Sequence, residues 1–249
     1  MMEHSSDILS KIRETDAFLV SYPRSGNTWT RMVLGTTVLL ELAPDQVHSP
    51  EMVRNVSEVI PDLHAVGVLR NTHERLKIQP VFKSHSWIGS RSNLKVCLFR
   101  HPEDVFASYY HYAQKLAHVD PGLSINDFAY GNLPTWLAFY QTVIKRVREE
   151  EPSARVFCYE KLFENPVPGF RAMLQALKLP YSEESLERAI GLNSWDQSVQ
   201  RLVSPNVPAD FPMLRGKPGS GRLLLAEEVL KKVLVDTLPV YEELCLLAQ

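Results

Sequence analysis

Residues 17–29 read AFLVSYPRSGNTW, and this stretch decides the fold. Its apolar run, 17–20, consists of strand formers and is too short for a core helix, so we predict a buried strand that ends at Pro23. A polar turn with a single glycine, Gly26, follows, and apolar residues then recur at helical spacing over 29–42. Because the backbone N–H groups of such a turn and of the helix start converge on one point, the stretch predicts an anion-binding site.

The side chains of the turn also suit an anionic ligand. Arg24 carries a permanent positive charge and a forked donor set that fits phosphate or sulfate oxygens, and Ser25 and Thr28 add hydroxyl donors. The same residues allow an alternative in which Ser25 and Asn27 only cap the helix and Arg24 is a solvated surface charge. A P-loop of the kinase type would read G-x-x-x-x-G-K-[ST], whereas here the cation precedes the only glycine.

The turn resembles the 5′-phosphosulfate-binding loop of the cytosolic-type sulfotransferases, whose pattern is Tyr-Pro-Lys/Arg-Ser-Gly-Thr/Asn-Thr-Trp. Residues 22–29 match this pattern nearly completely, with an arginine where many members carry lysine. The resemblance implies that the loop binds 3′-phosphoadenosine 5′-phosphosulfate (PAPS), the sulfonate donor of that family. The residues it implicates are Arg24, Ser25, Gly26, Asn27, Thr28 and Trp29.

A second predicted strand, 81–83, ends in polar residues that include a histidine. In a parallel sheet the strand C-termini share one edge, where ligands bind. Lys83 and His85 are two residues apart and point the same way in extended backbone, although a lone histidine is more often a surface or core residue. The sequence Lys-Ser-His at 83–85 matches the Lys-x-His catalytic signature of the family. The resemblance therefore implies that His85 is a general base and that Lys83 acts beside it.

A third predicted strand, 94–99, ends at Arg100, and Pro102 with two acidic residues after it predicts a helix start. Taken alone, these residues are also typical of an ordinary strand-turn-helix unit, in which the arginine would lie in solvent. The block 100–112 resembles the 3′-phosphate motif of the family, an arginine followed eight residues later by a serine and then by two aromatic residues. The resemblance implies that Arg100 and Ser108 bind the 3′-phosphate.

Two later segments resemble the family at the adenosine end of the nucleotide. Tyr159 closes a strand predicted over 155–159, at the position of a family tyrosine near the nucleotide, with a purely structural role as the alternative. Asn193 and Trp195 fall where the family has Thr-Ser-Phe against the adenine ring. An aromatic face is a stacking platform for a base, so Trp29 and Trp195 are the candidates for that contact.

The segment 202–222 is rich in proline and glycine, and we expect it to form a flexible lid loop. Arg215 and Gly216 match part of the family loop that covers the 3′-phosphate, so the resemblance implies a contact with the nucleotide here as well.

The composition of the chain indicates the number of domains, the kind of partner and the location. The 249 residues, of which 45% are hydrophobic and 22% charged, fit one domain over 1–249 with an N-terminal extension of about 15 residues. A net charge of −2 argues against nucleic acid as a partner. We predict no membrane span and a cytoplasmic location, because the chain has no apolar run of about 18 residues and no signal core.

The sequence thus predicts a single α/β domain with a central parallel sheet of four or five strands flanked by helices. The resemblance implies a sulfotransferase that moves the sulfonate of PAPS to a hydroxyl or amine of a small-molecule acceptor and releases 3′,5′-bisphosphoadenosine (PAP). We expect no metal, because no His/Cys/carboxylate cluster has ligand spacing. Two alternatives stay open: a small-molecule or nucleoside kinase using ATP and Mg²⁺, and a non-catalytic nucleotide-binding module. The acceptor and the oligomeric state are not specified by the sequence.

Overall fold

The computed structural model describes residues 10–47, 52–63, 70–150, 152–194 and 217–248. Its strands are β1 (Ala17–Ser21), β2 (Val81–Ser84), β3 (Lys95–Phe99) and β4 (Ala154–Cys158). Its α-helices are α1 (Asn27–Leu42), α2 (Met52–Val59), α3 (Arg70–Leu76), α4 (Pro102–Lys115), α5 (Ile125–Glu150), α6 (Tyr159–Glu164), α7 (Pro166–Ala176), α8 (Glu183–Leu192) and α9 (Glu227–Leu247).

The four strands form one parallel sheet in the order β2-β1-β3-β4. Strand β1 lies between β2 and β3, and all five of its residues are buried, as its continuous apolar run predicts. Two apolar layers cover the sheet, one on each face. The prediction of an α/β domain with a central parallel sheet is confirmed.

Helix α5 covers one face of the sheet with an apolar stripe. Trp136 and Tyr140 in this stripe are fully buried, and they join the apolar cluster that contains Phe18 of β1. The stripe is therefore packing surface, although two of its members also contact the loop after β1: the Tyr140 hydroxyl lies 3.1 Å from Ser25 Oγ, and the Phe139 ring packs against Tyr22.

Several local assignments differ from the sequence-based prediction, beginning with β2, which extends one residue further to Ser84, and β3, which begins one residue later at Lys95. Helix α3 lies in a segment without clear periodicity, and it is fixed by tertiary contacts: the ring of His73 hydrogen-bonds the carbonyl of Val59 at 2.9 Å. Strand β4 ends at Cys158, one residue early, because Tyr159 is already the first residue of α6.

Candidate active site

Every strand delivers a candidate site residue at its C-terminal end. Arg24 follows β1, His85 follows β2, Arg100 follows β3 and Tyr159 follows β4, each within three residues of the strand. Because all four strands are parallel, these residues share one edge of the sheet, the edge at which α/β folds bind ligands.

The loop after β1 is shaped by two residues with positive φ. Gly26 (φ 100°) precedes α1 as its N-cap, and Arg24 has φ 69°. No side chain caps the helix: Asn27 donates to Ser21 Oγ at 2.9 Å, and Ser25 Oγ lies 3.1 Å from the hydroxyl of Tyr140. The alternative in which Ser25 and Asn27 only cap α1 is therefore wrong, because both side chains fasten the loop to the protein interior. The first N–H groups of a helix have no intrahelical partner, so this end of α1 suits an anion.

The two arginines of the site lie near each other in a mostly buried environment. Arg24 Nε donates to Ser108 Oγ at 3.1 Å, and the guanidinium lies 4.7 Å from the ring centre of Tyr112. Burial lowers the pKa of Arg24, and the nearby charge of Arg100 lowers it further. An anion between two such like charges is stabilising. The pair therefore fits a ligand with phosphate or sulfate groups.

Arg100 is buried and contacts both α4 and α6. Its guanidinium lies 4.6 Å from the ring centre of Tyr159, and one of its nitrogens donates to Asp104 Oδ2 at 3.2 Å. The alternative of a solvated arginine at this strand end is excluded, because Arg100 is only 4% exposed. Helix α4 begins just after Arg100 and brings Ser108 to Arg24. Arg24, Ser108, Arg100 and Tyr159 therefore lie at the same edge of the sheet.

His85 has one ring nitrogen fixed by the backbone. Its Nδ1 lies 2.8 Å from the carbonyl oxygen of Ser21, and since a carbonyl can only accept, Nδ1 carries the proton and Nε2 has the lone pair. Partial burial lowers the pKa of His85, and the charges of Lys83 and Arg24 act in the same direction. The imidazole is therefore neutral at pH 7, with Nε2 able to accept a proton.

Lys83 is ion-paired with a carboxylate that the sequence-based reasoning missed. Its Nζ donates to Asp62 Oδ2 at 2.6 Å, and the backbones of the two residues form a parallel bridge. The Asp62 side chain is 40% exposed and its charge acts on His85, so it belongs to the same cluster. In the sequence, Asp62 is marked only as the third residue of an Ile-Pro-Asp turn.

Trp29 packs against the side of the loop with partial exposure. Its indole meets Tyr159 edge to face at 5.7 Å, and its Nε1 donates to the carbonyl of Asn193 at 2.8 Å. The Asn193 side chain is buried and donates to Thr36 Oγ1 at 3.0 Å, so Asn193 orients Trp29 through its backbone. Trp195, Arg215 and Gly216 lie outside the described residues.

Gly26 leaves no room for a side chain. A Cβ here would lie 2.2 Å from Cδ2 of Tyr159, and the positive φ disfavours any L side chain. Gly26→Ala should lower the free energy of unfolding by about 2–4 kcal/mol, the sum of backbone strain and overpacking. Urea unfolding measures this change. Gly131→Ala is the matched control, because no heavy atom lies within 4 Å of its Cβ position in α5. Equal urea concentrations at the unfolding midpoints of Gly26→Ala and Gly131→Ala would contradict the prediction.

Comparison with known proteins gives a family match over most of the chain. The sulfotransferase domain model matches residues 14–199. Sulfotransferase 6B1 of Danio rerio is 23% identical over 195 residues, which cover 76% of this chain and 65% of that protein. Flavonol 3-sulfotransferase of Flaveria bidentis is 23% identical over 257 residues, covering 90% of this chain and 80% of that protein.

The fold comparison agrees with the family match. The crystal structure of mouse sulfotransferase SULT7A1 complexed with PAP superimposes with a TM-score of 0.66 at 15% identity, covering 99% of this chain and 92% of that one. None of the described helices combines the length and the apolar character of a membrane-spanning segment. The glycine turn after β1 and the basic strand ends agree with the match over residues 14–199, from which one conclusion follows: the chain belongs to the sulfotransferase domain family and is a transferase by family.

Proposed function

We propose that this protein transfers the sulfonate group of PAPS to a hydroxyl or amine of a small-molecule acceptor. The observation that carries the proposal is the meeting of two cations, half-buried Arg24 and buried Arg100, with Lys83 and the neutral imidazole of His85 at one sheet edge. Membership in the sulfotransferase family and a PAP-bound structural neighbour support this reading.

The residues at the sheet edge divide between the two ends of the nucleotide. Arg24 and the N–H groups at the start of α1 would hold the 5′-phosphosulfate. Arg100 and Ser108 would hold the 3′-phosphate, with Tyr159 packed beside the guanidinium of Arg100. The donor set fits the nucleotide, because it offers forked cations and backbone N–H groups to anionic oxygens. Trp29, Asn193, Trp195, Arg215 and Gly216 stay predicted contacts.

The chemistry requires a base on one side of the transferred group and positive charge on the other. PAPS supplies an activated sulfonate group. Nε2 of His85 would take the proton of the acceptor hydroxyl or amine. The Lys83 ammonium and the Arg24 guanidinium would stabilise the negative charge that grows on the leaving oxygen, as cations do in phosphoryl transfer. Lys83 Nζ has three N–H donors, so its bond to Asp62 leaves donors for this role.

The two alternatives from the sequence have less support. A kinase is not favoured by the family match, and its Gly-Lys-Ser/Thr loop is absent from the sequence after β1. A non-catalytic module would need neither Lys83 nor His85, whereas both lie at the site together with Asp62.

A thermal-shift titration tests the donor assignment. At 100 times its dissociation constant a ligand should stabilise the fold by about 2.7 kcal/mol, which is readily seen as a higher melting temperature. We expect PAP to stabilise the protein far more than 5′-AMP or ATP does, without a requirement for Mg²⁺. Stabilisation by ATP with Mg²⁺, and none by PAP, would overturn the assignment and favour a kinase.

The proposal describes the acceptor only as a small molecule with a hydroxyl or an amine. A small molecule with a hydroxyl group is consistent with the flavonol in the name of the Flaveria relative. Sulfur-35-labelled PAPS offered with a phenol, a flavonol, a sterol and an aryl amine in separate reactions would identify the class by label transfer. The single domain over 1–249, the absence of a metal and the cytoplasmic location stay predictions.

The pH dependence of the reaction should report the ionisation of His85. Burial lowers its pKa below the usual 6.5, so the base is neutral at pH 7 and is lost only as the pH falls through the lowered pKa. We expect kcat/KM for an acceptor found by label transfer to be level from pH 7 to 8 and to fall only as the pH drops through the lowered pKa of His85, below 6.5. A falling limb centred above pH 6.5 would contradict the assignment of His85 as the base.

A further inference from the structure

The carboxylate of Asp104 joins three separate parts of the chain. Its Oδ2 accepts from Arg100 at 3.2 Å and from the backbone N–H of Gly219 at 2.8 Å, and its Oδ1 accepts from the N–H of Gly221 at 2.6 Å. The side chain of Asp104 is fully buried, so these are hydrogen bonds to a charged group out of water, which are the strong kind. One side chain thus connects the end of β3, the first turn of α4 and the segment 217–222.

The segment 217–222 is held against α4 by polar contacts and close backbone packing. A Cβ on Gly221 would lie 2.3 Å from the carbonyl oxygen of Glu103, so the two backbones touch. Arg222 Nε donates to Glu103 Oε1 at 2.9 Å. The following residue, Leu223, is 88% exposed and adds little apolar burial. The carboxylates of Glu103 and Asp104 therefore account for much of the docking of this segment.

A buried carboxylate beside Arg100 is unfavourable for anion binding if only its charge is considered. Asp104 places a negative charge next to the residue proposed to bind the 3′-phosphate, which by Coulomb's law weakens phosphate binding. Its contribution must then be geometric. We propose that Asp104 is a positioning residue that orients Arg100 toward the 3′-phosphate and couples this orientation to the docking of segment 217–222. The assignment of Arg100 to the 3′-phosphate, on which this inference rests, comes from the proposed function.

The neighbouring Glu103 offers a matched comparison. Both acids lie in the first turn of α4, where the helix dipole favours a negative charge, and both are buried. Glu103→Gln removes the same charge from the same turn and keeps an acceptor for Arg222. Asp104→Asn places an amide nitrogen where a carboxylate oxygen accepts, so at least one of its three N–H partners faces another donor. The two variants therefore separate loss of charge from loss of positioning.

The experiment measures dissociation constants for PAP and 5′-AMP by isothermal titration calorimetry, and amide exchange of 217–222 without nucleotide by mass spectrometry. Asp104→Asn should reduce the preference for PAP over 5′-AMP at least about tenfold and speed exchange at Gly219 and Gly221. Glu103→Gln should leave the preference nearly unchanged. An electrostatic effect alone has the opposite sign, because removing a negative charge would tighten PAP binding. Unchanged or tighter PAP binding by Asp104→Asn overturns the inference.

A second variant covers the case in which Asp104→Asn fails to fold. Gly221→Ala keeps the carboxylate and pushes the segment away from Glu103, so it should also lose preference for PAP, whereas Gly131→Ala should not. An unchanged preference in Gly221→Ala, with exchange at 217–222 accelerated, would mean that docking and phosphate recognition are uncoupled. A wild-type protein that binds PAP no better than 5′-AMP would overturn the proposed function itself. If the wild type prefers PAP over 5′-AMP and the variants keep that preference, only this inference is overturned.

Discussion

His85→Ala is expected to lower kcat by about 10²- to 10⁴-fold, the usual contribution of a general base. The loss should fall on the chemical step, because the ring of His85 is held by the backbone carbonyl of Ser21 and its other nitrogen is assigned to the acceptor proton. The dissociation constant of PAP should change less than threefold, a difference of about 0.7 kcal/mol. Single-turnover transfer of labelled sulfonate measures the first quantity and calorimetry with PAP the second.

His85→Asn is the matched variant for this prediction. An asparagine amide can donate to the Ser21 carbonyl as Nδ1 of the histidine does, but it cannot accept a proton at neutral pH. We expect His85→Asn to fold like the wild type and to be as slow as His85→Ala. Near-normal turnover by either variant would show that another group removes the acceptor proton.

Arg100→Ala is expected to weaken PAP binding by roughly 10²-fold, because two hydrogen bonds to a charged group contribute about 1.5–3 kcal/mol each and only part is recovered by water. Binding of 5′-AMP should weaken by less than about tenfold, since it lacks the phosphate that Arg100 is proposed to hold. Calorimetry with both nucleotides gives the ratio of the two effects.

Arg155→Ala controls for the loss of an arginine from the sheet. Arg155 lies on β4, is exposed, and should affect neither nucleotide. Because Arg100→Ala also removes the cation from buried Asp104, urea unfolding must show that the variant is folded at the assay temperature. Equal weakening of PAP and 5′-AMP would assign Arg100 to general affinity and would contradict a 3′-phosphate role.

The elements that carry the site are predictable because their signals are local. The run 17–20, the glycine at 26 and the helical spacing after it lie within one short stretch, and each strand end is marked by a polar residue after an apolar run. The burial of Arg100 and its approach to Arg24 are less local. The sequence supports them only through the resemblance of the block 100–112, since periodicity does not report how α4 turns over the sheet edge.

The residues that sequence-based reasoning missed act through partners far along the chain. Asp62 bonds a lysine 21 residues later, and Asp104 bonds glycines 115 and 117 residues later. In the sequence, Asp62 belongs to a turn and Asp104 to a helix start, and both descriptions are correct but incomplete. Pairing between distant segments is set by the tertiary fold, so no local pattern predicts it.

The strand order also determines when the protein first becomes able to bind its nucleotide. Ala17 pairs with Val81 and Phe18 pairs with Lys95, so the loop after β1 is fixed only after much later segments have been made. Parallel pairings between such distant segments form slowly, and the last strand-end group, Tyr159, emerges from the ribosome after all of them. In a growing chain, the sheet edge proposed to bind PAPS would therefore be complete only after Tyr159 and the segments before it had been synthesised.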